Sequence, residues 1–254
     1  MSSEARPQRW LLDLGNTRLK AAPLQADGRI GAVVALDHGR GALLDQLRAQ
    51  LPAQGVSACL ASVAAPALTA GVLEVLQERF RLVSLARTQA RLAGLRVAYA
   101  EPARLGVDRF LAMLGARARG AGPWLVAGVG TAVTIDLVDA DGAHLGGRIA
   151  PSPQLMRQAL HRAAAQLPAE GGVFDEFASE THDALASGCD GAAVALIERS
   201  LAQGAQRLGQ LPSLLLHGGG SAPLAALLPQ ALRVDSLVLE GLAVWAGVSG
   251  APDR

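Results

Sequence analysis

The chain has 254 residues, 50% of them hydrophobic and 3% aromatic, with 29 glycines and a net charge of +1 from 23 basic and 22 acidic side chains. That length suits one or two domains with a real core, and the balanced charge and scarce rings leave no footprint for nucleic acid, no base-stacking platform and no attraction to an anionic membrane. No apolar run reaches the ~20 residues of a membrane helix, and the polar Met1–Arg9 segment lacks the apolar centre of a signal peptide. Cys59 and Cys189 are far apart and show no CxxC spacing, as expected of buried thiols in a reducing cytoplasm. His38, His144, His161, His182 and His217 have no metal-ligand spacing, which disfavours a zinc site.

Along the chain, Trp10–Asp13, Lys20–Pro23 and Ile30–Leu36 read as strands of one sheet, with Ala26-Asp27-Gly28 as a turn. Between the first two lies Asp13-Leu14-Gly15-Asn16-Thr17-Arg18-Leu19-Lys20. A carboxylate, a flexible backbone and a hydroxyl occur there within a few residues. A carboxylate can hold hydrated Mg²⁺, and glycine lets backbone come close to a phosphate. A plain hairpin turn uses the same residue types, and the motif alone leaves both readings open.

Ala42–Leu51 has helical spacing, and Val56–Val63 is a nearly continuous apolar run of a strand covered on both faces. Pro66 opens a helix over about Leu68–Phe80, and Leu82–Leu85 is a short strand. Residues 86–105 look irregular. Gly106-Val107-Asp108-Arg109 opens an apolar helix that runs to Gly120. An acid and a base after a glycine at a helix N-terminus can handle an anion or a proton; a capping Asp108 with a solvated Arg109 is the structural alternative.

Trp124–Gly130, Val133–Val138 and His144–Ile149 repeat the strand plan of the N-terminus. The turn Gly128-Val129-Gly130-Thr131 is a phosphate cradle or a tight β-turn. It has neither a Walker lysine nor the third glycine and helix of a dinucleotide site. Helices follow at about Pro153–Gln166 and Cys189–Leu208. Leu211–His217 is a strand that ends in Gly218-Gly219-Gly220. Ala222–Leu228 and Leu237–Ala246 close the chain as helices, the last with Asp235 or Ser236 as its cap. This order of elements predicts an α/β protein of two similar halves with an interdomain cleft, divided near the Arg109–Gly120 helix.

Four motifs occur in order: Asp13-x-Gly15-Asn16-Thr17, Gly106-x-Asp108-Arg109, Gly130-Thr131-Ala132-x-Thr134-x-Asp136 and Gly146-Gly147-x-Ile149-x-Pro151. Together with Tyr99, Thr181 and Glu240-Gly241-Leu242-Ala243, the set resembles the type III pantothenate kinases, the family that includes Bvg accessory factor homologues. The resemblance spans essentially the whole chain. It implies two ribonuclease H-like domains of the actin, hexokinase and acetate kinase superfamily, here 1–114 and 115–254, and a homodimer with the substrate pocket near the dimer interface. It implies ATP-dependent phosphorylation of pantothenate to 4′-phosphopantothenate, the first step of coenzyme A synthesis.

Carried onto this chain, the resemblance makes Asp108 the catalytic base and Asp13 the Mg²⁺-holding group, through water, with Asp136 as a second acidic group near the metal. It gives ATP contacts to Asp13, Leu14, Gly15, Asn16, Thr17, Arg18, Leu19, Lys20 and Thr131. It gives pantothenate contacts to Tyr99, Gly106, Val107, Asp108, Arg109 and Thr181. The chain departs from the pattern at Gly128, where the family carries an aspartate that helps hold a monovalent cation, potassium or ammonium. Two readings follow: a kinase with weak or altered cation dependence, or a catalytically weakened regulatory or ligand-binding homologue. A cytoplasmic enzyme that engages neither nucleic acid nor membrane is the expectation.

Overall fold

The computed structural model describes residues 8–38 and 42–249. The described residues up to Gly120 and those from Ser236 onward form one compact unit, and Ala121–Asp235 form a second. The first unit runs β1 (Arg9–Leu14), β2 (Arg18–Leu24), β3 (Val34–Asp37), α1 (Leu43–Gln50), β4 (Gly55–Ser62), α2 (Pro66–Arg79) and β5 (Phe80–Leu85). The two-residue strands β6 (Arg91–Leu92) and β7 (Leu95–Arg96), a 3₁₀ turn at Pro102–Arg104 and α3 (Val107–Ala118) complete its main part. The second unit runs β8 (Trp124–Val129), β9 (Ala132–Val138), β10 (His144–Pro151), α4 (Pro153–Ala163), α5 (Thr181–Leu208), β11 (Ser213–His217), α6 (Ser221–Leu227) and β12 (Leu232–Arg233). The closing helix α7 (Leu237–Ser249) belongs to the first unit.

Each unit is built on a five-stranded sheet with the same plan, β3-β2-β1-β4-β5 in one and β10-β9-β8-β11-β12 in the other. In both, the first three strands of the unit are antiparallel neighbours and the last two pair parallel. Strand alternation sorts the residues of β1 between two faces. Trp10, Leu12 and Leu14 join Leu43 and Leu47 of α1 and Val72, Val75 and Leu76 of α2 in one buried cluster. Leu11 and Asp13 take the opposite face, the side to which α7 packs.

The division expected at 114/115 differs from the observed one, and the cause is a close helix crossing. A Cβ on Gly241 would lie 1.8 Å from the Leu111 carbonyl oxygen, and one on Gly115 would lie 2.4 Å from that of Leu237. The two glycines let the backbones of α3 and α7 touch. Arg119 adds a two-pronged ion pair to Glu240, at 2.9 and 2.8 Å. Both ends of α3 therefore stay with the first unit.

In the second unit, Leu125, Ala127 and Val129 of β8 and Val133 and Ile135 of β9 pack with Ala193, Ile197 and Leu201 of α5. Helix α5 starts eight residues before the expected Cys189. Glu180 caps it by accepting from the Asp183 N–H at 2.6 Å. The third strand covers only Val34–Asp37, and Ile30 contributes just an isolated bridge to Leu24. Cys59 and Cys189 are buried free thiols, and burial pushes the pKa of each up, which keeps them unreactive.

Candidate active site

Asp13 is the next-to-last residue of β1 and lies across the hairpin from Lys20. The hairpin is tight, and the Gly15 N–H donates to the Arg18 carbonyl at 3.0 Å. Asn16, Thr17 and Arg18 are exposed at its tip, whereas Leu14 and Leu19 are fully buried in the core. Leu14 and Leu19 therefore contribute backbone alone to any ligand. The Arg18 side chain is turned to β3, where its Nε donates to Asp37 Oδ1 at 2.6 Å.

Asp13 shares its sheet face with Leu11, and the N-terminus of α3 brings Asp108 near it. Burial pushes the Asp13 carboxyl from its ordinary 3.8 up to about 7; the negative charge of Asp108 raises it further, and the positive charge of Lys20 opposes both. Desolvation and a like charge both disfavour the ionised form. A site with two neighbouring carboxylates and one lysine is short of positive charge. This fits a divalent cation held by a single carboxylate, with water and phosphate as its other ligands. Among the described residues no three His, Cys, Asp or Glu side chains cluster as an all-protein metal cage.

Asp108 is the second residue of α3, where the helix dipole favours a negative side chain. Its Oδ1 accepts from the Arg109 backbone N–H at 2.9 Å. A Cβ on Gly106 would lie 2.7 Å from that same oxygen, so the carboxylate folds over a position that only glycine leaves open. Arg109 is buried, with 6% of its surface exposed, and is not the solvated charge of the structural alternative. Its Nη1 donates to the Tyr99 hydroxyl at 3.2 Å, and its guanidinium carbon stands 6.0 Å from the Tyr99 ring centre. Val107 is buried and, like Leu14, offers only its backbone. The first unit thus brings Asp13, Lys20, Asp108, Arg109 and Tyr99 into linked pairs.

The second unit carries the remaining residues expected in the site. Thr131 is exposed at the tip of the β8–β9 hairpin, which is closed by a Gly130 N–H to Ala132 carbonyl bond of 2.9 Å. Thr181 is exposed at the start of α5. Asp136 does not stand as a solvent-facing metal ligand. It is buried on β9, and its Oδ1 lies 3.0 Å from Nε2 of the equally buried His144 on β10. Strand alternation turns it inward, where the imidazole is its hydrogen-bond partner.

Gly128, the position that departs from the family pattern, is crowded. A Cβ there would lie 2.8 Å from both His217 Nε2 and Thr134 Oγ1. Register explains this: Gly128 pairs with His217 of β11 on one side and Thr134 of β9 on the other. Beyond His217 the glycine run folds back on β8, with the Gly220 N–H donating to the Val129 carbonyl at 2.9 Å. The place of His217 over Gly128 depends on a pairing between distant strands and leaves no local signal.

A sequence profile of the type III pantothenate kinases matches residues 10–203. The type III pantothenate kinase of Stenotrophomonas maltophilia strain K279a is 59% identical over 237 residues, covering 93% of this chain and 96% of that protein. Among solved structures, a conserved putative Baf family transcriptional activator from Campylobacter jejuni superposes with a TM-score of 0.62 at 18% identity, covering 96% of this chain and 100% of that one. An archaeal actin homolog superposes with a TM-score of 0.51 at 10% identity, covering 95% and 99%. These two structures speak for the fold, which is that of paired ribonuclease H-like domains. The profile match and the identity over nearly the whole length place the chain in the type III pantothenate kinase family.

Proposed function

We propose that this protein transfers the γ-phosphoryl group of ATP to the hydroxyl of pantothenate, giving 4′-phosphopantothenate and ADP, the first step of coenzyme A synthesis. The observation that carries the reading is 59% identity to a type III pantothenate kinase over 93% of the chain. The paired carboxylates Asp13 and Asp108 give it a mechanism. Nothing in the site favours a non-catalytic accessory role.

Phosphoryl transfer asks mainly for positioning and charge neutralisation. Asp108 takes the proton of the pantothenate hydroxyl as its oxygen bonds to phosphorus and the bond to the β–γ bridging oxygen breaks. The Arg109 N–H and the close Gly106 backbone hold the Asp108 carboxylate in one orientation. Arg109 and Tyr99, fixed on each other, offer a cation and a hydroxyl to pantothenate, with Thr181 as a further contact. Asn16, Thr17 and Lys20 on one hairpin and Thr131 on the other serve the phosphates. Asp13 would hold a divalent cation, which would supply positive charge to the phosphates, and Lys20 favours the ionised form of Asp13 against burial and the charge of Asp108.

The monovalent-cation requirement is absent or weak in this reading. Gly128 brings no carboxylate, and His217 and Thr134 already fill the space where one would stand. Substituting NaCl for KCl should leave turnover unchanged within about twofold, while strong saturable activation by potassium contradicts the proposal. The apolar groove between α4 and α5, which includes Leu155, Met156 and Leu185, is the face assigned to a second copy, close to Thr181. Size-exclusion chromatography with light scattering tests for the dimer. The cytoplasm is its proposed compartment, in keeping with ATP as substrate and with two unpaired buried cysteines.

A coupled ADP-release assay with and without pantothenate decides the activity. ADP release that requires pantothenate is the expected result. Hydrolysis indifferent to pantothenate points to another ATPase on the same fold, and no turnover with ATP bound points to a ligand-binding homologue.

A further inference from the structure

Strand β10 forms one edge of the second sheet, and a register shift between His144 and Gly146 resets its pairing with β9. Beyond the shift, Gly146 pairs with Leu137 and Arg148 with Ile135. Directly paired residues share a face of the sheet, so Gly146 and Arg148 stand on the side that α5 covers. On α5 the neighbouring residue is Gly204, whose Cβ, if present, would lie 3.1 Å from Leu137 Cδ1. With glycines on both walls, sheet and helix do not close. A cavity of about 360 Å³ opens between them, floored by Leu125, Ile135 and Leu137.

Two arginines line this cavity. Half-buried Arg148 reaches across to α5, where Nη1 donates to Ser200 Oγ and Nη2 to Gln203 Oε1. Arg207 donates through Nη1 to the Leu145 carbonyl at 3.2 Å. All three acceptors are neutral, and among the described residues neither guanidinium is paired with a carboxylate. A guanidinium has five N–H donors, so most of theirs are left for a ligand. A partly buried cation without a counter-charge is costly, and an anion offsets that cost.

The cavity is not part of the phosphate-binding turn. Leu125 lies at the start of β8 and its partner Leu137 near the end of β9, whereas the Gly130–Thr131 tip joins the opposite ends of these strands. The four residue steps from Leu125 to Val129 span ~13 Å of strand.

We propose that this cleft is a second ligand site, for a small phosphate-bearing molecule. Its phosphate takes the forks of Arg148 and Arg207, which match such groups geometrically. Its uncharged body lies on the Leu125–Ile135–Leu137 floor. The cavity volume falls in the range of small-ligand pockets and exceeds what a bare phosphate fills.

Calorimetric titration of the full chain tests this, with the ATP site saturated by Mg²⁺ and a non-hydrolysable ATP analogue. The probes are inorganic phosphate and phenyl phosphate. Both should bind, and phenyl phosphate should bind several-fold more tightly through its ring. The double variant Arg148→Gln, Arg207→Gln should weaken phenyl phosphate by at least ~tenfold without changing pantothenate turnover. Arg207→Gln alone, at an exposed position, gives the same direction of change if the double variant does not fold. Absence of heat with wild type, or equal affinity in wild type and Arg207→Gln, overturns the site. Equal or tighter binding of inorganic phosphate overturns the role of the apolar floor and leaves a site for the free ion.

Discussion

The central strand of each sheet meets different neighbours just before its turn. In the first unit that strand is β1, and its next-to-last residue is Asp13, flanked by Lys20 on β2 and Ala61 on β4. In the second it is β8, and the same point holds Gly128, flanked by Thr134 on β9 and His217 on β11. One strand plan therefore carries a half-buried carboxylate with a lysine opposite it in one copy, and a glycine roofed by an imidazole and a hydroxyl in the other. The contrast shows how the fold divides its tasks. A carboxylate at the sheet end is costly unless cations offset it, and the first unit supplies Lys20 across the hairpin. The second unit fills the same corner with the His217 and Thr134 side chains.

The largest expected effect tests the acidic side of this contrast. Asp108→Asn removes the proposed proton acceptor and keeps the shape. Turnover should fall by ~10²–10⁴-fold, the usual range for a lost general base, with pantothenate binding retained by calorimetry. Near-wild-type turnover would remove Asp108 from the role of base and leave it as a helix-capping residue.

Asp13→Asn should separate stability from activity. The Asp13 carboxyl is raised from 3.8 to about 7 on folding. Between those pH values the native chain holds a proton that the unfolded chain has released. Stability therefore falls as pH rises through that window, and the full cost is present above pH 7. An amide carries no such cost. Asn at this position should stabilise the metal-free protein by ~1–3 kcal/mol at pH 8 and give no gain below pH ~4. Turnover should drop by at least ~100-fold, because the proposed cation site would lose its charge. Melting curves at the two pH values, with chelator present, read the first half. A variant that is less stable at pH 8 would show that Asp13 is not a strained carboxylate.

The neutral corner is tested by filling it. A side chain on Gly128 meets His217 and Thr134 at 2.8 Å, so Gly128→Asp should lower stability by ~1–3 kcal/mol, as other overpacking does. His217→Ala should restore part of that loss in the double variant, because the two positions share one space. Additive losses would mean that the crowding at Gly128 lies elsewhere.

Much of this arrangement is legible in the sequence where the signal is local. The apolar run of β4 and the strand–turn–strand order of both sheets appear directly, and so do the Asp13 hairpin and the Asp108 helix start. The pairing of Asp13 with Lys20 also follows from the hairpin: two residues close the turn on each side, so strand positions before and after it match in order. What is hidden depends on distant packing. The return of α7 to the first unit depends on the Gly115 and Gly241 crossing, which no local pattern announces. The first turns of α5 are rich in small residues around Gly188 and are capped by Glu180, a residue outside the usual Ser, Thr, Asp and Asn set. The burial of Asp136 against His144 depends on which face of β9 is covered, and its sequence neighbours do not tell that.

The smallest effect expected concerns Tyr99, and it asks whether the Arg109–Tyr99 pair binds substrate or only holds the first unit together. Tyr99→Phe keeps the ring near the guanidinium and removes the hydroxyl that accepts from Nη1 at 3.2 Å. Loss of one such bond to a charged donor is worth ~1.5 kcal/mol or a little more. If the pair meets pantothenate, the loss should appear as a KM raised ~5–15-fold with kcat little changed, since binding is weakened equally in ground and transition states. A merely structural pair predicts the reverse, a lower melting temperature with KM unchanged. Arg109→Lys sharpens the choice, because a lysine keeps the charge but loses the planar fork. At a substrate contact the fork matters and KM rises further than in Tyr99→Phe; at a structural pair the buried ammonium shows its cost in stability alone.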